Sequence, residues 1–268
     1  MPMHLIDQMN RNVQLAGPPQ RIISTVPSQT ELLAYLGLNQ RVVGITKYCV
    51  HPPAWQQRKP HIGGTKKFRR DQIAALQPDL IIGNKEENEQ TAMESLMANY
   101  PVWMSDIENL ADALEMIAAV GQLTQTETPA RLLCEQLSSA FGQLNTYMEQ
   151  QRSYSAAYFI WQKPMMVAAS GTFIDHMMQL AGFQNAFANK ERYPQVKEEE
   201  LRAHPPEVIL LSSEPYPYKQ KHLDYFQKIC PQSVIRLVDG EIFSWYGSRM
   251  LFAVPYFIKL HKDIEEAI

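Results

Sequence analysis

The sequence has no surplus of positive charge and no long apolar run. Its 268 residues include 25 Lys and Arg against 28 Asp and Glu, a formal net charge of -3. General nucleic-acid affinity needs a surplus of Lys and Arg and is therefore excluded. No run approaches the roughly 20 apolar residues that span a bilayer. The opening residues, Met1-Pro-Met-His-Leu-Ile, lack a basic region followed by an apolar stretch. We therefore expect no secretory signal, which leaves export of the protein an open question.

Cysteine and the common catalytic motifs are also scarce. The 3 cysteines, Cys49, Cys134 and Cys230, are odd in number and widely spaced, so they predict neither a disulfide framework nor a Cys-x-x-Cys zinc site. The chain lacks the glycine-rich dinucleotide and phosphate loops, the Gly-x-Ser-x-Gly elbow and the His-Glu-x-x-His motif. We therefore predict no catalytic residue, no metal site and no cofactor.

The chain does contain one sequence element that occurs twice. Asp71 is followed seven positions later by Pro78-Asp79 and an apolar strand, and Glu199 is followed at the same spacing by Pro206-Glu207 and another apolar strand. Short apolar runs alternate with helical periodicity throughout both halves. This alternation predicts an α/β fold of two Rossmann-like lobes with mostly parallel sheets.

A different pattern separates the two copies. Leucine, phenylalanine and methionine recur at helical spacing from Glu127 to Gln151, which predicts one helix of about 25 residues. Its position between the repeats favours a rigid connector over a helix within a single core. The predicted organisation is an N-terminal lobe over residues 1–125, a connecting helix over 126–152 and a C-terminal lobe over 153–268. A closing helix is predicted from Arg249 to Ile268, kinked at Pro255.

Polar and aromatic residues follow the predicted strands. Ligands of α/β proteins bind beyond the carboxyl ends of parallel strands, so these loops are the candidate site. Five cations, together with the Trp245-Tyr246 pair beside Arg249, favour a flat or anionic ligand. The candidates drawn from these loops are Ser28, Lys47, Tyr48, Lys66, Lys67, Asn84, Lys85, Trp161, Trp245, Tyr246 and Arg249.

Several of these residues have a second interpretation. Trp245 could plug its lobe, and single lysines are commonly solvated surface residues. Cys49 and His51 could ligate a metal ion as a pair, or His51 could do so with Glu86 or His61. Cys49 could also act as a nucleophile, although burial is the commoner role of cysteine. Asp71 and Glu199 could serve only to cap their helices.

Taken together, the chain resembles the periplasmic binding proteins whose two lobes are joined by a single long helix. The resemblance rests on Arg21-Ile-Ile-Ser-Thr-Val-Pro-Ser-Gln-Thr-Glu31, Val43-Gly-Ile, the Leu76-x-Pro-Asp-Leu-Ile-Ile repeat, Tyr193-Pro-Gln-Val196 and Ser244-Trp245, and it runs from about residue 20 to the end. This class serves ABC importers for cobalamin, ferric siderophores and haem.

The resemblance implies a function as well as a fold. It implies a monomeric solute-binding protein, not an enzyme, with a ligand cleft between the lobes contacted by Tyr48, Trp161, Tyr193 and Trp245. It implies that Asp71 and Glu199 dock on the permease. Lysines and an asparagine stand where cobalamin receptors place tryptophans, which favours an anionic metal chelate or another anionic small molecule. The class implies the periplasm, whereas the missing signal keeps the cytoplasm open. The alternatives are a direct metal-ion receptor and a cytoplasmic binding or enzymatic derivative of the scaffold.

Overall fold

The computed structural model describes residues 3–268 and divides them into two compact units. Unit 1 comprises the described residues up to Ile107, then Ala111–Gln136 and Tyr246–Arg249. Unit 2 comprises Glu108–Leu110, Leu137–Trp245 and Met250–Ile268. Each unit is therefore assembled from separate stretches of the chain.

Unit 1 is built on a parallel sheet of four strands. The strand order is β4-β3-β5-β6, and every neighbouring pair is parallel. A separate antiparallel hairpin, β1-β2, precedes this sheet and was not predicted. The strands are β1 Met3–Ile6, β2 Asn12–Leu15, β3 Ile22–Ser24, β4 Val42–Ile45, β5 Leu80–Asn84 and β6 Val102–Ser105; the helices are α1 Pro27–Tyr35, α2 Pro53–Arg58, α3 Arg70–Leu76, α4 Gln90–Met97 and α5 Leu110–Thr124.

Unit 2 is built on a mixed sheet of five strands. Its order is β11-β10-β7-β8, with β9 also paired to β7, and the β7–β8 pair is antiparallel while the others are parallel. The strands are β7 Tyr154–Gln162, β8 Met165–Ala168, β9 Phe183–Asn185, β10 Val208–Ser212 and β11 Val234–Val238; the helices are α7 Phe173–Leu180, α8 Glu198–Ala203, α9 Gln220–Ile229, α10 Gly240–Ser244 and α11 Ala253–Glu265, with a 3-10 helix at Ser248–Phe252.

The central strands are buried on both faces. Every residue of β5 and of β10 is buried, which is why both strands appear in the sequence as continuous apolar runs. In unit 1, Ile23 and Ile81 pack in one cluster with Met93 of α4. In unit 2, Phe159 and Ile209 pack with Phe226 of α9. The predicted α/β fold with mostly parallel sheets is confirmed.

Helix α6 at Glu127–Met148 contains the boundary between Gln136 of unit 1 and Leu137 of unit 2. Leu133, Leu137, Phe141 and Leu144 form its buried stripe, at the spacing of one helical face. Leu132, which the periodicity also included, is 46% exposed. Within residues 3–268, no helix combines the length and the apolar character needed to cross a membrane.

Two prolines lie in the first turn of a helix. Pro27 is the first residue of α1, where its missing N–H costs no hydrogen bond. Pro255 was expected to kink a helix beginning at Arg249. The α-helix instead begins at Ala253, so Pro255 lies in its first turn, where the backbone N–H groups have no partner within the helix.

Candidate ligand-binding site

Loops at the carboxyl edge of the unit 1 sheet form one continuous surface. The Lys47 backbone N–H, just beyond β4, donates to the Gly63 carbonyl at 2.9 Å. Gly64 passes so close to the neighbouring loop that an added Cβ would lie 3.2 Å from Cε2 of Tyr48. Any larger residue at Gly64 would displace the tyrosine ring. Two of the predicted site loops are therefore packed against each other.

A third loop, after β5, joins the same surface. The Lys66 ammonium donates to the Glu86 carbonyl at 2.9 Å, and the Asn88 side-chain amide donates to the Thr65 carbonyl at 2.9 Å. These bonds connect residues 63–68 to residues 84–88. The predicted grouping of these loops at one sheet edge is present within unit 1.

The exposed chemistry of this surface is cationic and aromatic. The Lys47 ammonium lies 4.9 Å from the centroid of the Tyr48 ring, and that ring is 52% exposed. Lys66 and Lys67 are also exposed. We name Lys47, Tyr48, Lys66 and Lys67 the edge cluster. A solvent-facing aromatic ring among ammonium groups can hold a flat anionic ligand by stacking and by charge.

Asn84 has a structural role in place of the predicted ligand contact. It is 2% exposed, and its side-chain oxygen accepts from the backbone N–H groups of Glu86 and Glu87 at 2.9 and 3.0 Å. Its side-chain nitrogen donates to the Ser105 hydroxyl at 3.0 Å. With its amide engaged on both sides, Asn84 holds the loop after β5 in shape.

Beneath these loops lies a buried polar layer that sequence analysis missed. The Thr25 hydroxyl donates to the Ile82 carbonyl at 2.9 Å and lies 2.8 Å from Oδ1 of Asn88. The Gln29 amide donates to the Ser105 hydroxyl at 2.6 Å. Buried polar groups need partners, so this layer fixes the loops above it. The four-residue spacing of Asn84 and Asn88 after a strand was the available sign of such a turn.

Two of the five predicted cations are already neutralised. The Lys85 ammonium forms an ion pair with Asp106 at 2.5 Å. The Arg249 guanidinium forms a two-point pair with Glu31, with Nε 3.0 Å from Oε2 and Nη2 2.8 Å from Oε1. The sequence could not show these acids beside their partners. Lys47, Lys66 and Lys67 form no ion pair with any described residue, and Lys66 interacts only weakly with Glu89, whose pKa is lowered chiefly by a hydrogen bond from Thr91.

Ser28 and Tyr246 are buried in unit 1 and do not lie on exposed loops. Ser28 is 4% exposed in the first turn of α1, and Tyr246 is 6% exposed. Burial raises the pKa of Tyr246 well above its ordinary value, and the Glu87 carboxylate adds to the rise. Both residues therefore contribute to packing. The sequence pattern alone does not show whether a side chain is buried, so it could not reveal this role.

Trp245 is also buried, within unit 2. It is 5% exposed, and its indole N–H donates to Oε1 of Glu214 at 2.7 Å. The Ser244 hydroxyl donates to the same oxygen at 2.9 Å. Burial raises the pKa of Glu214, and the Glu241 and Asp239 charges act in the same direction, while the hydrogen bonds from Ser244 and Trp245 lower it. This packing agrees with the alternative that Trp245 fills the interior of its lobe.

The other aromatic candidates of unit 2 are more accessible. Trp161 was expected just beyond β7 but is the second-last residue of that strand, and it is 40% exposed. Tyr193 is half-buried in a segment that runs along β8, where the Val167 N–H donates to the Pro194 carbonyl at 3.2 Å. The Arg192 guanidinium carbon lies 5.9 Å from the Tyr193 ring centroid.

Two of the residues behind the metal and nucleophile alternatives, Cys49 and His61, are engaged by neighbouring groups. Cys49 is fully buried and lies 3.0 and 3.2 Å from the hydroxyls of Thr30 and Thr46. Burial raises the pKa of the Cys49 thiol, which disfavours the reactive thiolate. His61 Nε2 lies 2.8 Å from the Gln56 carbonyl oxygen. Residues 3–268 contain no group of three His, Cys, Asp or Glu side chains arranged to hold a metal ion.

The duplicated element has the same geometry in both copies. Asp71 is the second residue of α3, and Glu199 is the second residue of α8. Both are exposed, and neither occupies the N-cap position, which Arg69 and Lys197 hold. Asp71 and Glu199 are therefore not N-cap residues. An acid in the first turn still stabilises its helix by interacting with the helix dipole.

The second acid of each copy is structural. The Asp79 carboxylate accepts the backbone N–H groups of Gln20 and Arg21 at 2.7 and 2.8 Å, just before β3. Glu207 likewise accepts the Ser155 N–H of β7 at 2.9 Å. In each unit the acid at the start of one central strand thus anchors the neighbouring strand. The repeat contains one anchoring acid and one exposed acid.

A comparison with known families identifies this architecture. A family model described as periplasmic binding protein matches residues 22–229, more than three quarters of the chain. The chain belongs to the periplasmic binding protein family. The predicted class, a solute-binding protein of the kind that serves ABC importers, is thereby confirmed, and the family is one of binding proteins and not of enzymes.

Individual relatives agree with this assignment. A vitamin B12-binding protein of Pectobacterium carotovorum is 25% identical over 242 residues, covering 88% of this chain and 86% of the relative. The crystal structure of the periplasmic vitamin B12 binding protein BtuF of Vibrio cholerae superposes with a TM-score of 0.80 at 21% identity, covering 92% of this chain and 98% of that one. The periplasmic heme-binding protein RhuT from Roseiflexus sp. RS-1 gives 0.79 at 21% identity, with coverages of 92% and 99%.

Proposed function

We propose that this protein delivers an anionic metal chelate to a membrane permease, with the edge cluster contributing the ligand contacts of unit 1. The relatives include proteins named for vitamin B12 and for heme, which supports a large metal complex as the ligand class. Lysines around the exposed Tyr48 ring favour an anionic member of that class. In unit 2, Trp161 and Tyr193 are the accessible aromatic candidates.

The observation that carries the delivery role is the pair of exposed acids. Glu198 and Glu200, which flank Glu199, are engaged: Glu198 accepts from the Tyr225 hydroxyl at 2.6 Å, and Glu200 pairs with Lys190 at 2.5 Å. Glu199 itself has no ion pair or side-chain hydrogen bond to any described residue, and the same is true of Asp71. One uncommitted carboxylate at the same position in each unit suits a partner that presents two cationic sites.

Binding of defined chelates tests the ligand class. Calorimetric titration with hemin and with a ferric tris-catecholate, both anionic, should give saturable binding. Replacing Lys47, Lys66 and Lys67 together by glutamine should weaken that binding by about 100-fold, since each lost charge-assisted contact contributes on the order of a fewfold to tenfold. The control Lys262→Gln removes one exposed lysine from α11 and should change nothing.

Cyanocobalamin distinguishes the alternatives, since it is a metal complex without net negative charge. Tight binding of cyanocobalamin that is unaffected by the triple lysine substitution, with no binding of the two anionic chelates, would overturn the anionic assignment.

The proposal also places a monomeric chain in the periplasm. Cell fractionation that recovers it only from the cytoplasm would contradict this part.

A further inference from the structure

A recess in unit 2 lies outside the residues assigned so far, except for Trp161. It has a volume of about 440 Å³ and is formed where the turn after β7 faces the start of α9. This volume is typical of small-molecule sites, which measure roughly 300–1,000 Å³. The side chains that define it are Trp161, Lys163, Tyr216, Lys221, His222 and Tyr225.

One wall of the recess is a fixed aromatic surface. The Trp161 and Tyr216 rings meet edge to face with centroids 5.6 Å apart. The Trp161 indole N–H donates to the Lys163 carbonyl at 3.0 Å, and the Tyr216 hydroxyl lies 2.7 Å from Oε1 of Gln162. These bonds fix both rings while Trp161 stays 40% exposed. A large ring held in place and open to solvent is a ready stacking surface.

The hydrogen bonds of His222 define its protonation state. The Lys219 backbone N–H donates to Nδ1 of His222 at 2.7 Å, so Nδ1 carries no proton and Nε2 does. Nε2 lies 3.4 Å from the Tyr216 hydroxyl oxygen, which can accept a hydrogen bond from Nε2–H while its own O–H donates to Gln162. Burial lowers the pKa of His222, and the nearby Lys221 charge adds to the effect. His222 thus orients Tyr216 as a neutral ring and adds no charge.

The charge of the recess comes from two lysines. Lys163 and Lys221 are exposed, and neither forms an ion pair with any described residue. None of the described residues that line the recess is acidic. Glu198, which accepts from the lining residue Tyr225, is also paired with Arg202 at 3.4 Å. The recess therefore combines an aromatic wall with two uncompensated ammonium groups.

We propose that this recess binds an aromatic carboxylate, with its ring against Trp161 and its carboxylate between Lys163 and Lys221. The aromatic wall selects a planar ring, and the two ammonium groups select the anion. The recess lies within unit 2 and shares Trp161, but neither of its lysines, with the chelate proposal. Substitutions of the two sets of lysines therefore distinguish the two proposals.

Trp161 supplies a direct readout. The chain has 4 tryptophans. Trp55, Trp103 and Trp245 are 6%, 0% and 5% exposed, whereas Trp161 is 40% exposed. The probe is 4-nitrobenzoate, an aromatic carboxylate whose nitro ring quenches indole fluorescence on contact. Titration of the full chain should give saturable quenching of the Trp161 emission, with the same dissociation constant by calorimetry.

Two comparison compounds separate the parts of the proposal. 4-Nitrobenzamide keeps the ring and loses the charge, and cyclohexanecarboxylate keeps the charge and loses the ring. Each should bind at least about 10-fold more weakly than 4-nitrobenzoate, because each lacks one of the two contacts. Equal binding of 4-nitrobenzamide, or quenching that rises linearly without saturation, would overturn the proposal.

Substitutions locate the site. Lys163→Gln combined with Lys221→Gln should weaken 4-nitrobenzoate binding at least about 10-fold. Lys228→Gln, on the same helix α9 but outside the recess, is the matched control and should leave binding unchanged. Both variants should unfold at the wild-type urea midpoint, because the substituted lysines are exposed. Full binding by the double variant would refute the proposal.

The triple substitution of the edge cluster completes the design. It should leave 4-nitrobenzoate binding unchanged while it weakens chelate binding. If 4-nitrobenzoate binding were lost in that variant, the recess would not be the site. If the chain bound no chelate but bound 4-nitrobenzoate in the lysine-dependent way described, the chelate proposal would fail and the recess assignment would stand.

Discussion

Arg249 and Glu31 are 218 positions apart in the sequence and form a two-point ion pair within unit 1. Their side chains are only 14% and 19% exposed. Nearby, Gly247 adopts a φ of +113°, and an added Cβ there would lie 3.4 Å from Cβ of Leu32 on α1. The segment Tyr246–Arg249 is therefore bound to α1 by charge and by close packing.

Arg249→Lys should destabilise the protein by about 1–3 kcal/mol, because a lysine cannot reproduce the two parallel bonds of the guanidinium in a mostly buried pair. Urea unfolding measures the change. The matched control is Arg131→Lys, whose exposed pairing with Glu135 on one helix face should be worth less than about 0.5 kcal/mol. Equal effects of the two substitutions would show that burial of the Arg249 pair is unimportant.

Asp71→Asn and Glu199→Gln should each weaken docking to the permease about 10-fold and leave ligand affinity unchanged, since an exposed interface charge contributes on the order of 1.4 kcal/mol. Co-sedimentation with membrane vesicles of the source organism, outer face exposed, measures docking. Added salt should weaken the wild-type interaction more than that of the double variant.

Asp224→Asn is the control for the docking prediction, since it removes an exposed acid of α9 outside the duplicated element. If all three variants sedimented with membranes as the wild type does, Asp71 and Glu199 would have no docking role. Their matching placement would then reflect only duplicated helix starts with an acid in the first turn.

Glu214→Gln should change how stability depends on pH. Burial raises the pKa of Glu214 in the folded protein, so its contribution to stability is fully present below the unfolded pKa, about 4.3, and is lost as pH rises through the folded value. The wild type should therefore lose stability relative to Glu214→Gln as the pH rises from about 4 through the raised pKa of the folded protein. Glutamine keeps an oxygen acceptor for Trp245. Urea midpoints across this range measure the difference, and parallel curves for the two proteins would contradict it.

Cys49 should resist alkylation in the native protein. The thiol is fully buried, and burial raises its pKa, so iodoacetamide at pH 7.5 should label Cys49 at least about 100-fold more slowly than in urea. Peptide mass spectrometry measures labelling at each cysteine, and unfolded protein labelled at all three is the control. Rapid native labelling of Cys49 would restore the nucleophile alternative.

The helices and strands of the fold could be predicted from the sequence because buried parallel strands appear as continuous apolar runs. The runs at Leu80 and Val208 are apolar on both faces, and glycines with positive φ follow α1 and α7 at Gly37 and Gly182. The repeated acid and proline spacing indicated two related units. The hairpin β1-β2 lacked such a trace, since its short strands alternate between buried and exposed positions over only four residues each.

The candidate site was less accessible because its chemistry depends on partners distant in sequence. Lys47, Tyr48, Lys66 and Lys67 are exposed as expected for ligand contacts. Arg249 and Lys85 could be recognised as cations but not as members of ion pairs, because Glu31 and Asp106 reach them only through tertiary structure. Burial of Trp245 against Glu214 has the same origin, as does the recess beside Trp161.

The discontinuous make-up of unit 1 has a consequence for its synthesis. The residues of unit 1 up to Gln136 leave the ribosome early, but Tyr246–Arg249 follow only after Leu137–Trp245 have been made. Until then, Glu31 on the nascent chain has no arginine beside it, and the surface of α1 next to Gly247 stays open to water. The N-terminal unit thus begins to fold first but reaches its complete set of contacts only after Leu137–Trp245 have been made and Tyr246–Arg249 have left the ribosome.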